Sequence, residues 1–376
     1  MTGRLNHFKP NRFLSYLFIF SILFSFQVPP FVSAKDKTTS DKSSQIITVR
    51  SIGDILLHDY VYQNAQTETG YDFDYMFEEV APYISHADIS IANLETIAAG
   101  DDLGVSTYPF FNAPNSIVTS LKNIGIDIVN NATNHTMDRG VEGALASIAN
   151  LKHHKMPYVG SYESWDDYND LRIIDVKGTK VGFLSYTYGL NGNYLPEDQT
   201  YLATLIDKEL IPLEIKRLND HADISFVIFH EGEEYEHYPN DNQLALFDLA
   251  KEAGANFVLG GHPHVVQPGV VWSKSQGGIF SHANFLSGQV DLYTKIGGIW
   301  EFEFAVDQKK NITLNEIRMM PTYCQGYPEY NIFKVVPLVE ADSWAVGDVD
   351  ALMTEMATIV ESQSDKVKVV DYLSTK

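Results

Sequence analysis

Strands alternating with helices along most of the chain, then strands following one another directly near its end, predict a layered α/β fold with mixed sheets. A further observation ties this fold to function. Polar residues suited to binding metal stand directly after five of the expected strands. In open α/β sheets ligands collect outside the carboxyl ends of strands, so groups distant in sequence share a rim on which to meet.

The elements follow in chain order. Residues 46–52 are β-branched and apolar and read as a first strand that ends at Gly53-Asp54. Residues 73–84 carry helical spacing, and 88–92 form a second strand ending at Asn93-Leu94-Glu95. A helix over 117–123 leads to a third strand over 127–130, which closes on the polar cluster 131–138 ahead of a helix over 141–153. Residues 172–176 and 180–186 form a hairpin about 177–179. A helix over 205–219 precedes a strand over 224–229 that ends at His230. A helix over 243–253 precedes a strand over 256–259 that runs into Gly260-Gly261-His262-Pro263-His264. Residues 278–281, 299–306 and 312–319 continue as strands, and 349–361 form an amphipathic last helix.

Ahead of this body stand Arg4, Lys9 and Arg12, an apolar run over 13–28, and Val32-Ser33-Ala34. A basic start, an apolar middle and a small-residue site identify 1–34 as a signal peptide or N-terminal membrane anchor. Either would carry the body outside the cytoplasm. Residues 35–45 are polar and read as a linker. The folded domain is expected over 46–322, with 323–376 as an extension packed on it. A formal charge of −22 excludes nucleic acid as the main partner, because phosphate binding needs a basic surface. It also disfavours simple adsorption of a polyanion. One cysteine, Cys324, excludes an intrachain disulfide.

The candidate groups are Asp54, Asn93 with Glu95, Asn134-His135 with Asp138, His230, and His262 with His264. Taken singly, several have ordinary structural uses. Asp54 suits a turn, Asn93 a backbone contact, Asn134 a helix cap, and His230 a hydrogen-bonded core position. Glu95 is different, because a carboxylate among Ile91, Ala92, Leu94 and Ile97 needs a partner if buried. The histidine pair favours ligation by itself: Pro263 steers His262 towards extended backbone, where side chains two apart share a side. Together the five segments point to a divalent ion. Carboxylate, imidazole and amide donors suit Mn, Fe or Zn ahead of Ca. His58, His237 and His282 have no evident partner in the sequence, His153-His154 suit a helix end, and Glu231, Glu233 and Glu234 face either solvent or substrate.

The motifs Gly53-Asp54-Ile55-Leu56-Leu57, Asn93-Leu94-Glu95, Asn134 to Gly140, His230 to Tyr235 and Gly261 to Gln267 occur in an order that resembles the CapA-type family of bacterial poly-γ-glutamate capsule-synthesis proteins. Ser281-His282-Ala283-Asn284-Phe285-Leu286 looks like that family's Gly-Asn-Phe element, with Ala283 in place of Gly. The resemblance spans residues 48–306. The family is similar to calcineurin-like metallophosphoesterases, which implies a four-layer α/β/β/α sandwich of two mixed sheets. It also implies Asp54, Glu95, Asn134, His230, His262 and His264 as ligands for one or two metals. His135 is implied as the acid that protonates a leaving group, and Asp138 as the group that orients it. Asn93, Glu234 and Asn284 are candidates for substrate contact or support. Two ions ~4 Å apart would polarise an ester oxygen and acidify a water between them. The chain departs from the phosphoesterase pattern in two places: Leu56 stands where the His of Asp-x-His would be, and Asn-Leu-Glu replaces the usual Gly-Asp. It keeps His230 of the capsule family's His-Trp-Gly-x-Glu-Tyr element, but Glu231 replaces the Trp. One of the two ions is therefore expected to be weak or missing.

The resemblance implies an exported, membrane-associated envelope protein for making or transporting poly-γ-glutamate, working with membrane-bound polymer synthetase subunits. One alternative is an extracytoplasmic metal-dependent phosphatase or phosphodiesterase on an envelope substrate. Another is a non-catalytic module that binds the anionic polymer.

Overall fold

The computed structural model describes residues 44–375. The expected export segment and the linker up to residue 43 lie outside them. Among the described residues no helix is long and apolar enough to cross a membrane.

Two mixed sheets form the frame. In the nine-stranded sheet the order is Lys334–Pro337, Ile312–Gln325, Ile296–Val306, Gln45–Leu56, Ile89–Asn93, Ile128–Asn130, Tyr158–Val159. Asn284–Ser287 also pairs with the Gln45–Leu56 strand, and Val367–Val369 with Ile312–Gln325. The six-stranded sheet runs Gly269–Ser273, Gln276–Ile279, Phe257–Gly261, Ile224–His230, Thr179–Thr187, Arg172–Val176. Within each sheet the strands that carry candidate site residues pair in parallel.

Alternation along the strands makes the layers. Ile47, Val49, Ile89 and Ile91 of the larger sheet share one buried cluster with Phe183, Phe226, Ile228 and Phe257 of the smaller, so the sheets pack face to face. The opposite face of the larger sheet, with Ile52 and Ala92, buries Ile117 and Leu121 of the helix Ser116–Asn123 and Ile148 of Gly140–His153. The opposite face of the smaller sheet, with Val227 and Val258, buries Ile215 of Ile211–Asn219 and Leu246 of Asp241–Glu252. The result is helix, sheet, sheet, helix.

Of the elements that differ from expectation, three do so for an evident local reason. The helix expected from 205 begins only at Ile211, because Pro212 is tolerated in a first turn and not inside a helix. The helix expected over 73–84 is split for the same reason. A 3-10 turn, Asp74–Phe77, is followed by Ala81–Ser85 with Pro82 in its first turn. The first strand does not stop at Gly53 but runs to Leu56. Gly53 is instead a point of close approach, since a Cβ there would lie 1.8 Å from the carbonyl oxygen of Ala283.

A buried ion cluster ties the first strand to its neighbours. Glu301 accepts from Arg50 Nε at 2.7 Å and from Arg318 Nε at 2.8 Å, and Arg50 also donates to the carbonyl of Ser374 at 2.8 Å. Arg50 and Glu301 are both buried. Removing one partner strands the other charge in a low-dielectric interior. Glu301→Ala is therefore expected to destabilise the protein by about 3–5 kcal/mol, read from denaturant unfolding, whereas Glu303→Ala at the partly exposed end of the cluster should cost less, about 1 kcal/mol.

Candidate metal centre

Strand register assembles the rim. In the larger sheet Asp54, Asn93 and Asn130 lie side by side. In the smaller sheet Thr187, His230 and Gly261 do the same. Residues 280–283 stitch the two rows together: Asp54 N donates to Ala283 O at 2.8 Å, and His282 N to Gly260 O at 3.0 Å. Ala283, standing where the resembled element carries Gly, takes φ 64°, the left-handed region that suits Gly.

An amide relay supports the first row. Asn130 Nδ2 donates to Asn93 Oδ1, and Asn93 Nδ2 donates to Asp54 Oδ1. The same Asn93 nitrogen lies 3.3 Å from His230 Nδ1. Across the rim, His230 Nε2 lies 2.9 Å from Asn134 Oδ1 and 3.4 Å from Glu95 Oε1. His264 Nδ1 faces Asn284 Oδ1 at 3.0 Å, Asp54 Oδ2 at 3.2 Å and Glu95 Oε2 at 3.8 Å. The rings of His230 and His262 have centroids 5.0 Å apart.

The histidine pair converges by a different route from the one expected. The strand ends at Gly261, and His262 and His264 have φ 98° and 61°. Both are left-handed, not extended, so backbone turns and not strand alternation aim the two rings. Such conformations cost of order 1–3 kcal/mol each in non-glycine residues and persist where the surroundings enforce them.

His135 and Asp138 form a separate dyad. Asp138 Oδ2 lies 2.6 Å from His135 Nδ1 and accepts from Phe111 N at 2.7 Å, which fixes the carboxylate and through it the ring. Glu234 is half-exposed, with Oε1 3.7 Å from His264 Nε2. Glu231 turns away to accept from Asn242. His282 had no evident partner in the sequence, yet it is buried at the rim with Nε2 3.7 Å from Asp54 Oδ1. Its place in the Ser281 to Leu286 element, two residues before Asn284, was the available signal. Asn130 and Asn191 join the network without any motif to announce them; Asn134 Nδ2 donates to Asn191 Oδ1 at 3.3 Å.

Burial governs the electrostatics. It pushes the Glu95 carboxyl up to about 8, helped by the negative charge of Asp54. It pushes His230 down to about 3, and His262 down to about 2 with the help of neighbouring histidines. Burial would also lower His264, but Glu95 and Asp54 outweigh it and raise the ring to about 9. Burial alone would raise Asp54, yet His264 and His282 hold it well below the usual carboxylate range.

These groups fit a divalent ion. Both oxygens of Glu95, Oδ2 of Asp54 and Nδ1 of His262 are buried without a hydrogen-bond partner, a costly arrangement for polar atoms with nothing to satisfy them. Glu95, His230 and His262 offer ligand atoms within 4.8 Å of one another, as do Asp54, Glu95 and His264, and Glu95 is common to both groups. Asn134, His135 and His264 line one side of a cleft of about 1380 Å³ whose walls include Tyr108, Phe111 and Tyr235. Leu56 also faces this cleft.

Fold and site together define a layered α/β protein with a buried cluster of carboxylate and imidazole groups, able to hold a metal ion, at the common rim of its sheets. The chain belongs to the bacterial capsule synthesis protein family PGA_cap, whose model matches residues 48–289. It is 27% identical over 270 residues to the capsule biosynthesis protein CapA of Bacillus anthracis, covering 69% of this chain and 64% of that protein. It is 26% identical over 311 residues to the PGA biosynthesis protein CapA of Bacillus subtilis (strain 168), covering 80% and 77%. The chain thus spans under two thirds of the first of these relatives. Among solved structures, the NAD nucleotidase of Haemophilus influenzae aligns with TM-score 0.47 at 11% identity, covering 89% of this chain and 65% of that one. A 5'-nucleotidase of Candida albicans SC5314 aligns with TM-score 0.41 at 12% identity, covering 69% and 52%.

Proposed function

We propose that this chain is an exported envelope component of poly-γ-glutamate capsule synthesis or transport, and that its rim is a metal-dependent phosphoester-hydrolysing centre. It would work beside membrane-bound synthetase subunits, on a phosphoester of the envelope. The observation that carries the hydrolase reading is Glu95. It is a fully buried carboxylate with a hydrogen bond to neither oxygen, shared by two groups of imidazole and carboxylate donors. Asp54, Glu95, Asn134, His230, His262 and His264 would hold one or two divalent ions. When bound, such an ion supplies Lewis-acid polarisation of the ester and acidifies water for attack.

The chain's own residues do the rest. Asp138 takes the Nδ1 side of His135, so the proton available to a departing alkoxide is the one on Nε2. Asn284 and Asp54 orient His264, and the relay from Asn130 through Asn93 orients Asp54. Tyr108, Phe111 and Tyr235 would flank the reacting group. Among the described residues the cleft lining bears Glu234, Asp291 and Glu355 and no Lys or Arg. That charge argues against a passive holder of a polyanion, which would need the opposite sign.

The test is elemental analysis of protein starting at residue 44, run beside hydrolysis of bis-p-nitrophenyl phosphate with Mn, Fe or Zn. Bound metal with turnover is expected; metal-free protein after loading, or loaded protein without turnover, refutes the hydrolase. His135→Ala is expected to keep the wild-type metal content and lose about 10²–10⁴-fold in turnover. Equal turnover in that variant removes the acid role.

A further inference from the structure

We infer that His282 is a metal ligand, supplying the Asp54 side of the rim with the imidazole that Leu56 does not. This inference rests on the reading of the rim as a metal centre and adds to it a donor from a different strand connection. The two donor groups that share Glu95 are unequal in imidazoles without it. The Glu95, His230 and His262 group has two, and Asn134 Oδ1 lies 2.9 Å from His230 Nε2. The Asp54, Glu95 and His264 group has one, and Asn284 Oδ1 lies 3.0 Å from His264 Nδ1.

Three features of His282 point to ligation. The side chain is 2% exposed, and neither ring nitrogen has a hydrogen-bond partner. Its nearest charged atom is Asp54 Oδ1, at 3.7 Å from Nε2. That is beyond hydrogen-bond range, and this oxygen already accepts from Asn93. A separation of that size is what one ion spans with imidazole and carboxylate bonds of about 2.0–2.2 Å. Finally, Gly261 leaves space beside the nitrogen. A Cβ there would lie 2.8 Å from His282 Nε2, 3.3 Å from Asn93 Nδ2 and 3.4 Å from Asp54 Oδ1, so three polar atoms border a point that no side chain fills.

The backbone explains how the ring reaches this place. His282 N is fixed to Gly260 O and Ala283 O to Asp54 N, so the residue is clamped between the ends of both sheets. Leu56, two residues after Asp54, instead lines the cleft with an aliphatic side chain that cannot ligate. Residue 282 therefore supplies the centre with a further imidazole on the Asp54 side.

The test counts metal in the full chain by elemental analysis and titrates Zn and Co(II), reading the Co(II) absorption spectrum. His282→Leu keeps an apolar side chain of similar size and is expected to lose one of two metal equivalents, or to weaken that equivalent at least 10-fold. The Co(II) bands of the remaining ion should persist. A variant that holds the wild-type number of ions with affinities within about twofold overturns the inference while leaving the metal centre standing. Wild-type protein that binds no metal overturns both. If His282→Leu fails to fold, zinc-edge X-ray absorption of the loaded wild-type chain decides. Four imidazoles shared over two ions support ligation by His282; three, accounted for by His230, His262 and His264, refute it.

Discussion

Replacing Glu95 with glutamine is expected to abolish metal binding at both donor groups while making the metal-free protein more stable at alkaline pH. Glu95 is common to the two groups, so its loss removes an anionic donor from each. A fall of at least about 10²-fold in affinity follows when a group that binds the ion directly is lost, since even supporting residues cost about 10–100-fold. The gain in stability has a separate cause. The carboxyl is fully buried with no hydrogen bond to either oxygen, and burial with the charge of Asp54 pushes it up to about 8. At pH 9 the folded metal-free protein must keep this carboxylate ionised in a dry site. Glutamine removes that penalty. Urea unfolding of metal-free wild type and variant at pH 9, beside isothermal titration with Zn, measures both effects. A variant that binds metal normally, or is less stable than wild type at pH 9, contradicts a centre built around Glu95. Opposite signs for binding and stability mark a site whose strain serves function.

Much of this centre was legible in sequence because its donors stand at strand ends, and strand ends are what apolar runs mark well. Asp54, Glu95, His230 and the pair at 262 and 264 each follow a run such as Phe257-Val258-Leu259. Parallel pairing then brings Asp54 beside Asn93 and His230 beside Gly261. Other features depended on three-dimensional context. Extended geometry for His262 was a fair inference from Pro263, but tertiary packing turned both histidines left-handed. His282 precedes no helix and ends no long strand, and only the crossing of 280–283 between the sheets brings it to Asp54. Asn191 lies in a loop after the strand Thr179–Thr187, and no periodicity announces it. The layered frame was legible because alternation reports which face is buried. The short strands Tyr158–Val159 and Val367–Val369 are too brief to carry a pattern.

The metal-free protein is expected to be most stable near pH 6.5 and to lose stability as pH rises towards 9, whereas metal affinity should climb over the same interval. Two buried groups hold protons more tightly folded than unfolded: Glu95, raised from 4.5 to about 8, and His264, raised from 6.5 to about 9. Between those limits the unfolded chain binds fewer protons than the native one, so stability falls with rising pH, by about 1.4 kcal/mol per pH unit for each proton. His230 and His262 act in the opposite sense below 6.5, because burial lowers them to about 3 and about 2. There the unfolded chain binds more protons, and stability rises with pH. The two trends meet near 6.5, where the histidines pass through the midpoint of their titration in the unfolded chain: above it the rise from His230 and His262 dies away and the fall from His264 takes over. A divalent ion reverses the alkaline limb. It takes the place of the protons on Glu95 and His264, so its apparent affinity should rise about tenfold per pH unit for each proton displaced. Thermal melts of chelator-treated protein from pH 5 to 9, and Zn titrations in two buffers of different ionisation enthalpy, read out both limbs. Metal-free stability that rises steadily to pH 9, or Zn binding without proton release, would show that Glu95 and His264 do not share protons at the rim.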